Sequence, residues 1–222
     1  VSGSGGLKPW DHYHPDYMRL VEIYSIWGNS EGEGCARPNY WHNNYANSVQ
    51  NALAKGYRMG IIASGDSHDG LPGNSSWMRL RKGHTNGLAA VYAPELTRED
   101  IFDGLYDRYC YGTTGARIIL QFHLNDARMG QELTSEADRR SQQLRIRIVG
   151  TAPIDNITVI RNSKEVHVHY GNSEDEAFEW TDEAAFDDVA LTDYRGKAFI
   201  YYYVRATQVD GEIAWCSPVW VG

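Results

Sequence analysis

A strict alternation of apolar and charged residues in the second half of the chain constrains its fold most strongly. The run Leu144-Arg145-Ile146-Arg147-Ile148 is the clearest case. Successive side chains of a β-strand point to opposite faces of its sheet. The run therefore predicts a strand whose aliphatic side chains are buried and whose two arginines are exposed.

Further strand signals fill the rest of this half. Residues 199–207 form a long aromatic run, and Asp210-Gly211 separates it from Glu212-Ile213-Ala214-Trp215. An Asp-Gly pair between two such runs is typical of a β-hairpin. About seven short strands in a segment of this length predict an immunoglobulin-like sandwich over residues 113–222.

The first half mixes helix and strand signals. Residues 45–55 show helical spacing of apolar residues, and 59–63 and 88–92 are short apolar runs. Thr97 stands three residues before Asp100, which resembles the capping box that begins a helix. A helix, strand, loop, strand, helix order favours an α/β fold over residues 1–112.

Composition excludes several classes of protein. Hydrophobic residues make up 42% and aromatic residues 12% of the chain, which excludes a disordered protein. The net charge of −8 argues against a nucleic-acid partner. No apolar stretch is long enough to span a membrane, and three scattered cysteines form no zinc site. The polar residues 1–6 are too short for a signal peptide, so we expect the chain to begin inside a longer protein.

The densest chemical signal is Ser64-Gly65-Asp66-Ser67-His68, where an apolar run ends and a loop begins. In parallel α/β folds the carboxyl ends of strands are where sites are built. Asp oxygen and neutral His nitrogen are good ligands of Zn, Mn or Fe. The alternative is a turn in which Asp66 caps backbone amides and His68 is solvated.

Several segments of the chain, taken together, bear on the choice between a metal site and a simple turn. The chain resembles the polymerase and histidinol phosphatase (PHP) superfamily, and within it a bacterial branch in which a PHP domain precedes a β-rich domain. The segments that carry the resemblance are 21–31, 65–73, 87–115 and 202–218.

The resemblance implies a distorted (β/α)7 barrel with two or three divalent metal ions at its mouth. It also implies a metal-activated water that attacks a phosphate ester. Asp66 and His68 match the last Asp-x-His motif of the superfamily, and they would therefore be metal ligands. The fold class expected from this resemblance is a partial (β/α)7-type barrel over 1–112, followed by the all-β sandwich.

The chain departs from the superfamily pattern at its start. The opening His-x-His motif normally lies far upstream of the strand that holds Glu22, so the first half of the barrel would be a further partner. His12-Tyr13-His14 is formally His-x-His, but Pro15 follows it, which suits a loop. His14-Pro15 also matches a His-Pro pair in a middle motif, and His14 is therefore a candidate metal ligand.

Glu22 and Glu31 are the candidate catalytic carboxylates. Glu22 stands among apolar residues of a short strand, where a charge is costly unless it is paired. The alternative for Glu22 is a salt bridge to an arginine such as Arg58. Glu31 follows in a glycine-rich loop and would face substrate, or else be a solvated carboxylate.

Other polar and aromatic clusters have simpler interpretations. His42 is expected to cap a helix or lie on the surface, and His84 follows a basic cluster that could hold a phosphate or be a solvated turn. His167 and His169 share a strand face that could bind zinc or be exposed. The aromatic run 201–203 would form core or a platform for sugar stacking.

These observations lead to one hypothesis and one rival. We expect a metal-dependent hydrolase whose substrate is a small phosphate ester, with Zn, Mn or Fe as cofactor, and with neither nucleic acid nor membrane as partner. Since the first-half ligands are missing, we expect this chain to be an incomplete and inactive portion. The rival is a non-catalytic binding protein with a degenerate barrel and a β domain that binds a ligand or glycan.

Overall fold

The computed structural model describes residues 10–40, 44–68, 70, 71, 73 and 84–222. Sixteen β-strands and four short α-helices lie in this part of the chain. The strands are β1 (Leu20–Ser25), β2 (Gly28–Asn29), β3 (Gly60–Ala63), β4 (Leu88–Val91), β5 (Cys110–Thr113), β6 (Ile119–Leu124), β7 (Ala127–Arg128), β8 (Glu132–Leu133), β9 (Gln142–Val149), β10 (Ile154–Arg161), β11 (Lys164–Tyr170), β12 (Asp175–Asp182), β13 (Leu191–Thr192), β14 (Ala198–Gln208), β15 (Ile213–Cys216) and β16 (Val219–Val221). The helices are α1 (Val49–Ala54), α2 (Arg98–Tyr106), α3 (Glu136–Arg140) and α4 (Phe186–Val189), with a 3₁₀ turn at Tyr45–Asn47.

The described strands form three sheets. A three-stranded sheet has the order β2-β1-β3, and β1 and β3 run parallel. A nine-stranded sheet follows the path β11-β10-β14-β15-β5-β4, with β13 and β16 also paired to β14 and β8 paired to β16. A four-stranded antiparallel sheet has the order β12-β9-β6-β7.

The predicted fold class, a partial (β/α)7-type barrel followed by an immunoglobulin-like sandwich, is wrong. Among the described strands of the first half, only β1 and β3 pair in parallel. The apolar runs of β4 and β5 pair antiparallel, and β5 continues into the large sheet through β15. A short apolar run looks the same in a parallel barrel strand and in an antiparallel one, so periodicity alone misassigned them. The domain boundary at residue 112 stays a prediction, and one sheet crosses it.

The alternation in β9 is confirmed. Leu144, Ile146 and Ile148 are buried, whereas Arg145 and Arg147 are exposed. The buried faces of the four-stranded and nine-stranded sheets contribute to one hydrophobic cluster. The aromatic run of β14 lies at the centre of that cluster, and Tyr201–Tyr203 are almost fully buried. They are therefore core residues, as one of the two interpretations predicted.

The local predictions of a helix cap, a hairpin and a helix end are also confirmed. The Thr97 hydroxyl accepts a hydrogen bond from the Asp100 amide and caps α2. Asp210-Gly211 lies between β14 and β15, which pair antiparallel as predicted. Gly56 ends the segment of α1 with a φ of 85°, a left-handed conformation that favours glycine. No helix in the described residues is long and apolar enough to cross a membrane.

Candidate functional site

The parallel pair of β1 and β3 brings the main candidate residues together. Glu22 on β1 stands opposite Ile62 on β3. The chain leaves β3 at Ser64, whose amide donates to the carbonyl oxygen of Tyr24, and the Ile26 amide donates to that of Gly65. These bonds extend the parallel pairing past the strand ends. The loop that starts at Ser64 is therefore fixed beside β1, with Asp66 and His68 at the carboxyl end of the pair.

Glu22 is half-buried, and the side chains of Ser64 and Ser25 are its hydrogen-bond partners. Its carboxylate accepts a short hydrogen bond from the Ser64 hydroxyl. Burial raises the pKa of Glu22, the negative charge of Asp66 raises it further, and the hydrogen bond from Ser64 opposes both. The predicted alternative partner, Arg58, lies elsewhere: its Nε is 3.5 Å from Oε2 of Glu132.

Asp66 and His68 form a hydrogen-bonded pair. The Nε2 atom of His68 lies 2.7 Å from Oδ1 of Asp66, and the side chains are 65% and 31% exposed, respectively. Both residues have left-handed backbone, with φ of 48° and 55°. Trp27 supports the turn, because its indole nitrogen donates to the carbonyl oxygen of Asp66 at 3.1 Å. Non-glycine residues in this conformation are uncommon and concentrate at functional sites.

A cavity of about 650 Å³ opens beside this turn, and Gly65 forms part of its wall. The described rest of the wall comes from five other places in the chain: Gly73, residues 85–88, 114–117, Thr151 and Glu212. Glu212 is already engaged, since it accepts from Arg37 at 3.1 Å and from the Thr114 hydroxyl at 2.6 Å. The pair of Asp66 and His68 therefore stands next to a space of the size that small molecules occupy.

Glu31 has a very different environment. Its carboxylate is 1% exposed and accepts from Arg205, with 3.1 Å from Nη1 to each oxygen. The Tyr203 hydroxyl donates at 2.7 Å and the Trp215 indole at 3.0 Å. These bonds tie the loop after β2 to β14 and β15. The structure does not present Glu31 to solvent as a loop carboxylate.

His14 lies at the other end of the parallel pair. It lines a cavity with Tyr57, which precedes β3, and the Arg58 amide donates to the neighbouring Tyr13 hydroxyl. The His14 side chain is 55% exposed, and its Nδ1 lies 4.0 Å from Asp16. Because Asp66 and His68 follow the opposite end of β3, the structure does not bring His14 to them. His12 lines the same cavity as His14.

The remaining histidines are placed as follows. His84 stacks on Tyr40 with ring centroids 5.2 Å apart, and burial together with Arg37 lowers its pKa. His167 stacks on Trp180 at 4.9 Å and His169 on Phe178 at 4.4 Å, so both are half-buried between strands. His42 and the basic cluster of Arg79, Arg81 and Lys82 lie outside the described residues.

The donor chemistry of the turn fits a metal ion only in part. Asp66 supplies a carboxylate and His68 an imidazole, both suitable ligands of a divalent cation. The two carboxylates of Glu22 and Asp66 are close enough for one to raise the pKa of the other, and a cation would relieve that repulsion. Within the described residues, however, no group of three such side chains is arranged to hold an ion.

Sequence reasoning gave no role to Ser64, although Ser64 begins the main signal, and it did not identify Trp27 or the wall of the cavity. A role for Ser64 could have been suggested from the sequence, because it directly follows the apolar run that leads to Asp66. The sequence gives no indication of a role for Trp27 or Glu212, because only the tertiary fold brings them beside the turn.

Comparison with known proteins gives relatives without assigned activities. A family model described as a protein of unknown function (DUF3604) matches residues 74–150. An uncharacterized protein of Chlamydia pneumoniae is 31% identical over 221 residues, which is 96% of this chain and 36% of that protein. An uncharacterized protein of Chlamydia trachomatis serovar D is 33% identical over 222 residues, with the same coverage. The chain thus spans about a third of the length of these curated relatives. No solved structure matches the chain significantly.

Proposed function

We propose that this chain contributes part of the active centre of a metal-dependent hydrolase that acts on small phosphate esters. One observation carries the proposal: a parallel strand pair places Glu22, Ser64, Asp66 and His68 at a single edge, beside a cavity of about 650 Å³. The resemblance to the PHP superfamily, read from the sequence, points to the same reaction and remains a prediction.

Asp66 and His68 would hold one divalent cation. The two side chains now contact each other, and each would contact the ion instead. The described residues supply no third ligand, so further ligands would have to come from polypeptide beyond them. A bound divalent ion would lower the pKa of its water and polarise the ester.

Glu22 is suited to proton transfer. Burial and the charge of Asp66 raise its pKa, so its carboxyl group holds a proton at a higher pH than an ordinary glutamate. A raised pKa brings a carboxyl group closer to the working pH, which favours proton transfer in catalysis. The Ser64 hydroxyl fixes its orientation, and we assign Glu22 the role of moving the proton to or from the reacting oxygen.

Metal binding tests the proposal directly. Isothermal titration calorimetry of the 222-residue chain with Mn²⁺ and with Zn²⁺ should detect one weakly bound ion. Asp66→Asn and His68→Asn should each remove that binding, because asparagine tolerates the left-handed backbone but is a poorer ligand. His14→Asn is the matched control, since His14 is also an exposed histidine near an aspartate, and it should bind as the unchanged chain does.

Three outcomes would count against the proposal. One is the absence of any Mn²⁺ or Zn²⁺ binding, which would favour a binding protein without catalysis. Another is binding that survives both substitutions. The third concerns activity: because ligands are missing, the chain with added Mn²⁺ should hydrolyse p-nitrophenyl phosphate negligibly, and robust turnover would mean that the ligand set is complete.

A further inference from the structure

The cavity beside Asp66 has an unneutralised cation in its wall. Arg117 follows β5 on a turn in which Gly115 has a φ of 117°, a conformation that glycine alone adopts readily. The Arg117 side chain is exposed. Within the described residues it makes neither a hydrogen bond nor an ion pair. Its guanidinium group therefore keeps its full capacity to bind an anion.

Most other arginines of the described residues are already paired with a carboxylate. Arg37 is bound at 3.1 Å to Glu212, which lines the cavity. Glu212 in turn accepts from the Thr114 hydroxyl, so its charge is compensated on both sides. Among the described residues that line the cavity, the charge that remains available is consequently the positive charge of Arg117.

The rest of the wall combines small hydroxyl and apolar side chains. Thr85, Thr114 and Thr151 line the wall, with their hydroxyl groups bonded within the chain, and Leu88 and Ala116 line it as well. The volume of about 650 Å³ lies within the usual range for small-molecule pockets. A cavity of this size suits a small molecule better than a polymer.

We propose that Arg117 is a specificity-determining residue that binds the phosphate group of a small organic phosphate in this cavity. Guanidinium groups bind phosphate oxygens through two parallel hydrogen bonds, which gives geometric selectivity as well as affinity. The inference rests on the proposed function for one point, that the ligand of this cavity is the substrate of the neighbouring Asp66 site.

Calorimetric titration with glycerol 3-phosphate, with inorganic phosphate and with glycerol tests the inference. The unchanged chain should bind the two phosphates and not glycerol. Arg117→Ala should weaken phosphate binding at least about tenfold, as expected for loss of a charged hydrogen-bonding partner, while Arg117→Lys should retain part of the affinity. Arg98→Ala is the matched control, because Arg98 is exposed on α2 and likewise has no partner among the described residues.

The inference is overturned if Arg117→Ala binds both phosphates as the unchanged chain does, or if Arg98→Ala weakens binding equally. Thermal unfolding of each variant shows whether it is folded. Asp66→Asn separates this inference from the proposed function. If Asp66→Asn abolishes Mn²⁺ binding but leaves glycerol 3-phosphate binding intact, both stand. If the chain binds no metal but Arg117 still controls phosphate binding, the hydrolase proposal fails and the phosphate site stands.

Discussion

Glu22 and Glu31 show how differently two nearby glutamates can be used. Glu31 is almost fully buried, and Arg205, Tyr203 and Trp215 satisfy its carboxylate. Glu22 is half-buried, has two serines as its hydrogen-bond partners, and feels the charge of Asp66. Both stood out in the sequence as candidate catalytic carboxylates. The contacts favour a structural role for Glu31 and a chemical role for Glu22.

The electrostatics of the Glu31 network support this difference. Burial lowers the pKa of Arg205, but the charge of Glu31, the hydrogen bond to Glu165 and the charge of Tyr203 together outweigh it, and the net pKa is raised. Burial and the charge of Glu31 together hold the pKa of Tyr203 well above its usual value. Arg205 therefore stays charged and Tyr203 keeps its hydroxyl proton, so both can donate to Glu31.

The largest expected effect is the loss of stability on breaking this network. Glu31→Ala would leave the largely buried Arg205 guanidinium with only the exposed Glu165 as a carboxylate partner, and two buried donors without an acceptor. Removing one partner of a buried pair costs about 3–5 kcal/mol. Urea unfolding should show that loss, and Glu31→Gln, which keeps the shape and part of the hydrogen bonding, should lose less.

Glu165 provides the control for this experiment. It contacts the same Arg205, but its side chain is 56% exposed. Glu165→Ala should therefore cost less than about 1 kcal/mol, as exposed ion pairs usually do. If Glu31→Ala were as mild as Glu165→Ala, the network would not anchor the loop, and the structural role assigned to Glu31 would be wrong.

A smaller effect is expected at the turn after β3. Asp66→Asn and His68→Asn remove an exposed hydrogen-bonded pair and keep residues that tolerate positive φ. Each should change the free energy of unfolding by less than about 1 kcal/mol, in the range of surface substitutions. A loss comparable to that of Glu31→Ala would make the turn a structural element and would remove the contrast between the two regions.

The fold was predictable where the signal is local. The alternation in β9, the Thr97 cap and the Asp-Gly hairpin each depend on a few neighbouring residues, and each is confirmed. The arrangement of β4 and β5 depends on pairing with β15, about a hundred residues further along the chain. Short apolar runs do not encode their strand partners, and the barrel prediction failed for this reason.

The candidate site also has one part that could be predicted from the sequence and one part that could not. The nearness of Glu22 to Asp66 followed from one assumption, that two short apolar strands lie parallel, and β1 and β3 do so. The partners of Glu31 could not be predicted, because Tyr203 and Trp215 follow it by 172 and 184 residues. A glycine-rich loop suggests exposure, and only the tertiary fold shows that this carboxylate is buried.

The smallest expected effect is a change in the pKa of Glu22. Its ordinary value is 4.5, and in the folded chain burial raises it first and the charge of Asp66 adds to this. The folded state therefore binds this proton more tightly than the unfolded state. The contribution of Glu22 to stability is then greatest at low pH and falls as the pH rises from 4.5 through the raised pKa.

Asp66→Asn should lower the pKa of Glu22, because it removes one of the two causes, but should not restore the ordinary value, because burial remains. The Glu22 side-chain carboxyl resonance in a ¹³C NMR titration measures this directly. Glu22→Gln gives the reference, since it removes the titration and with it that part of the pH dependence of unfolding. If Asp66→Asn left the pKa of Glu22 unchanged, the two carboxylates would not be coupled. One cation could not then relieve both, and the shared metal site would lose its electrostatic basis.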